Sequence, residues 1–180
     1  YAKYRNMLGE GGDIRISNFQ NDSDLAKTFL YDKKLLFIGQ QYISKQFDTD
    51  RKRCQAGIVN YQEDKKKCSG GGWHVDNHTP QFKALLYLTD VNEKNGPFRI
   101  IEGSCKTNKY IQYFDETGKN RDTRYKQEHL EKYYSQEKFK TLVGKAGTCI
   151  LVDTSNIHRG EVIAEGQRYS LTNYYYNKER

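Results

Sequence analysis

The stretch GGWHVDNHTP, residues 71–80, places two histidines and an aspartate within five positions. His74 and Asp76 are two apart, so on an extended strand they leave the same face and can reach one ion; a helix would separate them. The competing pair, His74 and His78, would share a helix face, as in zinc-protease helices. Glycines precede that pair, Pro80 follows it, and no glutamate stands beside the first histidine, so the helical alternative is poor. Two ligands do not make a metal site, and the chain has only two further histidines. His129 falls in a charged segment where plain solvation is expected. His158, in ILVDTSNIHRG, follows a strongly β-like run, where a rigid sheet can fix a side chain. His74, Asp76 and His158 would together form the two-histidine, one-carboxylate face that holds ferrous iron with adjacent positions open. A closed structural zinc site would instead want four protein ligands.

Ten residues beyond His158 stands Arg168, at the start of RYSLTNYYY. Arg168 and Ser170 alternate onto one strand face, where a planar guanidinium and a hydroxyl can grip a carboxylate.

These side chains need a scaffold. NDSDLAKTFL, from Asn21 to Leu30, offers N-cap residues followed by Leu25, Thr28 and Phe29 at helical spacing, which predicts a short helix. From Leu35 onward come short apolar runs separated by turn residues: LLFIG, GIVNYQ, QFKALLYLTD, GPFRII, GTCILVDT and RYSLTNYYY, each read as a strand. Asn95-Gly96-Pro97 reads as a turn. Strands without intervening helices point to a mainly β fold, a sandwich or jelly roll. Residues 106–140 break the pattern. They are charged and Tyr-rich, and TRYKQEHLEKYYSQEKFK puts Tyr125, His129 or Leu130, and Tyr133 or Tyr134 on one side of a predicted helix, an insertion or lid between strands.

Composition narrows the partners. At 180 residues with 2 prolines and no repeat, the chain is expected to fold as one domain over 1–180, with an N-terminal piece possible before Tyr1. No apolar run is long enough to cross a bilayer, so a cytoplasmic protein without membrane insertion is expected. Cys54, Cys68, Cys105 and Cys149 have neither zinc-ribbon nor disulfide-framework spacing and are expected as reduced thiols. The formal charge of +7 is spread along the chain; residues 45–67 hold seven basic and four acidic side chains, and residues 106–140 hold nine and six. Such an excess can attract anionic cofactors or nucleic acid, although a solvated surface explains it as well.

WHVDNHTPQFKALLYLTDVNEKNGPFRIIEGS and, after the insertion, ILVDTSNIHRGEVIAEGQRYSLTNYY together resemble the phytanoyl-CoA dioxygenase (PhyH) family of iron(II)- and 2-oxoglutarate-dependent oxygenases. The resemblance implies a double-stranded β-helix, a cupin-like jelly roll with flanking helices, and iron held by His74, Asp76 and His158. It implies that Arg168 and Ser170 bind the distal carboxylate of 2-oxoglutarate. Tyr87 resembles a tyrosine that reaches the same carboxylate in related prolyl hydroxylases, and Asn60 and Tyr61 resemble a cosubstrate-facing strand. Alternation puts Lys83 on the face of Tyr87, where it either touches cosubstrate or substrate or reaches back to solvent. Arg159 is open between an anionic substrate and the surface; Trp73 and Tyr174 to Tyr176 read as packing and strand-forming residues. The implied reaction consumes O2, with ascorbate in a supporting role, and hydroxylates a substrate with release of succinate and CO2. In halogenating relatives the carboxylate is replaced by a small residue; Asp76 therefore points to hydroxylation. A small-molecule substrate is placed first. A non-catalytic metal- or ligand-binding jelly roll, and an oxygenase that binds nucleic acid or protein through the basic insertion, stay open.

Overall fold

The computed structural model of the chain describes residues 14–43, 52–60, 71–106 and 123–177. Among these residues the strands form two antiparallel five-stranded sheets. The first runs in the order β1 (Ile14–Ile16), β2 (Arg53–Asn60), β10 (Gln167–Tyr174), β4 (Phe82–Tyr87), β8 (Cys149–Asp153). The second runs β6 (Arg124–Tyr125), β3 (Trp73–His74), β9 (His158–Gly160), β5 (Phe98–Ile101), β7 (Phe139–Leu142). From β2 to β5 and again from β7 to β10 the chain changes sheet at every strand, which winds two facing sheets into the expected jelly roll.

Strand alternation divides the first sheet into a wet face and a dry one. On β10, Arg168, Ser170, Thr172 and Tyr174 line a cavity, whereas Leu171, Asn173 and, just past the strand end, Tyr175 are buried on the opposite side. Cys54 and Ala56 of β2 and Phe82 and Ala84 of β4 join Leu171 and Tyr175 in one apolar cluster. Two helices cover it, α1 (Asp24–Leu30) and α2 (Lys33–Ile43), through Ala26, Leu30, Leu35, Leu36 and Ile43. The last carbonyls of α1 lack partners in their own helix. Asn173 Nδ2 donates to Phe29 O at 3.0 Å and the Tyr175 hydroxyl to Leu30 O at 3.1 Å, so the dry face of β10 also caps the helix above it.

Two expectations are corrected here. Ser23 caps α1 by accepting from Ala26 N at 3.3 Å, but Leu25 is 83% exposed, and Ala26 and Leu30 supply the buried stripe in its place. LLFIG is helix, not strand. Asp32 Oδ1 accepts from Lys34 N and Leu35 N, both at 2.9 Å, and this N-cap starts a helix whose Leu35, Leu36, Gly39 and Ile43 follow a helical period.

The second sheet has its own dry face. Trp73, Val75, Ile101, Tyr125, Leu130, Tyr134 and Ile157 form a cluster edged by Phe139. The predicted insertion helix is shorter than its pattern: Arg124–Tyr125 is strand, pairing Tyr125 with Trp73, and α3 covers only Gln127–Tyr133. A 3-10 turn, Gln136–Lys138, then leads into β7, so this half of the insertion packs into the core. Outside Trp73, Arg99 and Arg159 lie directly opposite each other on β5 and β9, where like charges repel. Glu161 Oε2 accepts from both, at 3.0 and 2.6 Å, and the two guanidinium carbons stand 5.6 and 4.7 Å from the Trp73 ring centroid. The turn falls just before the predicted Asn95-Gly96-Pro97: Glu93 and Lys94 make it, with Asn95 N donating to Asn92 O at 3.4 Å, while Asn95 bridges to Ile163 and Gly96 follows at φ 72°, where a Cβ would fall 2.7 Å from Glu161 O.

Candidate active site

Two histidines stand side by side on the second sheet. His74 on β3 and His158 on β9 are register partners, with ring centroids 4.3 Å apart. Each Nδ1 faces a backbone carbonyl two residues upstream, Gly72 O at 2.9 Å for His74 and Asn156 O at 2.8 Å for His158. A carbonyl only accepts, so Nδ1 carries the proton in both rings and Nε2 is directed at the shared space, the second-shell arrangement that orients a metal-binding imidazole. Gly72 reaches this position with φ 87°, a conformation that suits glycine.

Asp76 arrives differently from the expectation of one extended strand. β3 ends at His74, and the chain bends so that Val75 N donates to Thr123 O at 3.0 Å and Asp76 N to Thr154 O at 3.1 Å. The bend still delivers the carboxylate. Oδ1 lies 3.9 Å from His74 Nε2 and Oδ2 lies 3.4 Å from His158 Nε2, and one ligand atom from each residue falls within 4.8 Å of the others. Donor atoms on a shared ion, each about 2.1 Å from it, stand roughly 3–4 Å apart. Two neutral imidazoles and a carboxylate also match the donor chemistry of a divalent transition metal.

Electrostatics hold His74 and Asp76 in the forms that bind a cation. Burial, and after it the neighbouring His158 ring, pushes the His74 pKa down to about 4. For Asp76, burial raises the pKa, but hydrogen bonding to His158 and the charge of Lys83 outweigh it and hold the carboxyl well below its usual range. Lys83 is the residue that the sequence left between solvent and cavity. Its side chain is 7% exposed, its ammonium pairs with Asp76 Oδ2, and it sits 4.1 Å from the Tyr174 ring centroid.

All three ligands open into one cavity of about 150 Å³, whose wall also includes Lys83, Arg168 and Ser170. Gly57 faces Ser170 across β2 and β10, and a Cβ on it would approach Ser170 Oγ to 3.3 Å; the glycine keeps this part of the wall open. Gln55, Thr172, Tyr174 and Arg15 line the cavity too, and the sequence reading missed them. Extending the Arg168–Ser170 alternation along β10 would have found Thr172 and Tyr174. Arg15 lies on a three-residue strand too short for its pattern to register.

Other expected site residues are placed elsewhere. Asn60 ends β2, with a side chain outside the described residues, and Tyr61 lies outside them altogether, as does Cys68. Arg159 is committed to Glu161 and Trp73 on the outer face of the second sheet. His78 is exposed, and His129 on α3 is half-buried beside Glu128. Tyr87 is fully buried, but its hydroxyl donates to Leu142 O at 2.8 Å and accepts from Phe98 N at 3.0 Å, which ties the two sheets together. Replacing its hydroxyl would leave the half-buried Phe98 N–H and Leu142 carbonyl without this partner. Tyr87→Phe should therefore lower stability by about 2 kcal/mol in urea titrations while leaving dicarboxylate affinity unchanged. Intact stability with weakened affinity would return Tyr87 to the cosubstrate.

A double-stranded β-helix with a two-histidine, one-carboxylate cluster between its sheets and an arginine in the same cavity defines a jelly-roll protein built to hold a divalent metal beside an anion. The Phytanoyl-CoA dioxygenase (PhyH) family model matches residues 23–164, and the chain belongs to that family. Ectoine dioxygenases from Bordetella parapertussis and Bordetella bronchiseptica are each 32% identical to it over 98 residues, 48% of this chain and 31% of the relative. The chain thus spans about a third of the length of these curated relatives. Among solved structures, the non-heme alpha-ketoglutarate-dependent epimerase SnoN from nogalamycin biosynthesis superposes with TM-score 0.69 at 15% identity, covering 94% of this chain and 65% of that one. EctD from S. alaskensis with bound Fe gives 0.66 at 16%, over 93% and 59%. HygX from Streptomyces hygroscopicus with nickel and 2-oxoglutarate bound gives 0.60 at 16%, over 92% and 70%. At these identities the likeness to the solved structures is one of fold.

Proposed function

We propose that residues 1–180 form one iron(II)- and 2-oxoglutarate-dependent dioxygenase domain that hydroxylates a small organic molecule. The observation that carries this reading is the convergence of His74, Asp76 and His158 on one point in a cavity that also holds Arg168 and Ser170. Ferrous iron at those three residues would supply oxidative chemistry, coupling dioxygen reduction and decarboxylation of 2-oxoglutarate to transfer of one oxygen atom to a C–H bond. The protein's part is positioning. Hydrogen bonds to Gly72 O and Asn156 O fix both imidazoles with Nε2 inward, and Asp76 supplies the negative charge that a divalent ion requires. Arg168 offers a planar fork to the distal carboxylate of 2-oxoglutarate, with the Ser170 hydroxyl as a second donor. The named activity of the Bordetella relatives supports a small-molecule substrate. Cys54, Cys105 and Cys149 are free thiols, which suits the reducing cytoplasm; among the described residues no helix is long and apolar enough to cross a membrane.

Purified protein given ferrous iron, 2-oxoglutarate and ascorbate should release succinate, and chelating the iron should return the signal to background. Succinate release that persists after chelation would overturn the assignment. Calorimetric titration of 2-oxoglutarate into manganese-loaded protein tests the cosubstrate site without turnover.

A further inference from the structure

Four consecutive polar residues, Asp153 to Asn156, are buried where the chain leaves β8 for β9, none of them more than 7% exposed. Polar side chains go inside when hydrogen bonds hold them there. Asn156 N donates to Asp153 O at 3.1 Å, which closes the four residues into a β-turn. Two carbonyls of this turn serve the candidate metal ligands: Thr154 O accepts from Asp76 N, and Asn156 O faces His158 Nδ1. One turn thus reaches two of the three ligands.

Each of these carbonyls belongs to a planar peptide unit, and in a trans unit the N–H points away from the C=O. A group that grips the N–H therefore sets where the oxygen aims. In the unit joining Thr154 to Ser155, the Ser155 N–H donates to Asp153 Oδ1 at 2.9 Å. In the unit joining Asn156 to Ile157, the Ile157 N–H donates to Ser104 Oγ at 2.7 Å. Both grips are themselves anchored. Asp153 Oδ1 also accepts from Gln81 N at 3.0 Å and from the Ser155 hydroxyl at 2.7 Å, and Oδ2 accepts from the Tyr42 hydroxyl of α2 at 3.1 Å. Ser104, fully buried just past β5, donates its own hydroxyl to Asn156 Oδ1 at 3.5 Å.

We propose that Asp153 and Ser104 are positioning residues of the metal site, each acting through one peptide plane: Asp153 through Thr154–Ser155 on Asp76, and Ser104 through Asn156–Ile157 on His158. This rests on the reading above of His74, Asp76 and His158 as metal ligands. Neither positioning residue is among those that line the cavity. Without the Ser104 hydroxyl, the buried Ile157 N–H loses its acceptor, the plane can turn, and the carbonyl that fixes the His158 ring turns with it. Removing a group that orients a ligand typically costs about 10–100-fold in metal affinity, and because these two act through a peptide unit the lower end is expected.

The test reads manganese affinity by calorimetry and, in metal-free protein labelled with 15N, the solvent exchange of the His74 and His158 ring Nδ1 protons by NMR. Ser104→Ala should weaken manganese binding about 10-fold and speed exchange at His158 by a similar factor, while His74, held by Gly72 O, keeps its wild-type rate. Ser104→Thr, which retains the hydroxyl, should restore most of both. Asp153→Ala should also weaken manganese binding about 10-fold, and Asp153→Asn, which keeps an acceptor oxygen for Ser155 N, should stay within about 3-fold of wild type. The two pairs of variants act through separate planes, so each tests the mechanism where an alanine variant of the other fails to fold. Tyr87→Phe loses a buried hydroxyl away from the turn; it should lower stability and leave manganese affinity and both exchange rates unchanged. Alanine variants that bind manganese as tightly as wild type, or that weaken it no more than Tyr87→Phe does, would overturn this proposal alone. A wild-type protein that takes up no manganese would overturn the metal-site reading and the proposal with it.

Discussion

Asp76→Ala should remove metal binding and destabilise the metal-free protein at the same time, and a second substitution should separate the two losses. The carboxylate has two places in the structure: it lies with His74 and His158 in the proposed metal site, and it is the counter-charge of Lys83. Removing a direct ligand should cost more than the roughly 100-fold at the upper end of second-shell losses, read as affinity for manganese by calorimetry. Succinate formation should fall with it. Unpairing a buried ion pair costs about 3–5 kcal/mol. The lower end is expected, because the Asp76 side chain is 28% exposed and burial already lowers the Lys83 pKa, so the ammonium can shed its proton when its partner is lost. Asp76→Ala combined with Lys83→Met replaces the pair with apolar groups and should recover most of the urea stability while restoring no metal affinity. Wild-type stability in the single variant would mean that the ion pair contributes nothing; metal retained by the double variant would remove Asp76 from the ligand set.

The proposed metal ligands could be read from sequence because each was marked by residue type and by its place beside a β-like run. Their convergence depends on pairing between β3 and β9, which lie more than eighty positions apart in the chain. Two-residue alternation put Arg168 and Ser170 on one face, and both line the cavity; it left Lys83 open between cavity and solvent, and the structure puts it in the cavity wall. The same alternation put Tyr87 on the cavity-facing side, yet its ring runs past the cavity to bond Leu142 and Phe98, since periodicity gives a direction and not a reach. LLFIG shows the opposite limit. A five-residue apolar run fits strand and helix equally, and the deciding signal lay upstream in the side chain of Asp32. The bend that delivers Asp76 was illegible for another reason: it is held by Thr123 O and Thr154 O, backbone groups with no sequence pattern. Arg15 and Gln55 become cavity residues only once β1 and β2 are seen beside β10.

The metal-free protein should lose about 3 kcal/mol of stability as the pH falls from about 6.5 to about 4, with His74 as the source. Its pKa is about 4 in the fold against an ordinary value of 6.5, chiefly because burial disfavours the imidazolium. Between those limits the unfolded chain binds a proton that the folded chain refuses, so stability rises with pH across the window and is flat on either side for this group. Asp76 adds little over most of it. Its carboxyl is ionised in the fold throughout the window, and the unfolded aspartate takes up its proton mainly below about pH 5, so its loss of stability begins at the acid end of the window and grows below it. His74→Gln, which cannot titrate, should flatten the decline between pH 6.5 and 4 and leave the steeper fall below it. Urea midpoints at closely spaced pH values, in chelator, would measure both curves. Parallel curves for wild type and variant would show that His74 is not held neutral by burial. Metal affinity follows with the same sign: protons compete with the ion at His74 only near pH 4, so binding limited by this residue should persist well below the pH at which a solvent-exposed histidine would release its metal.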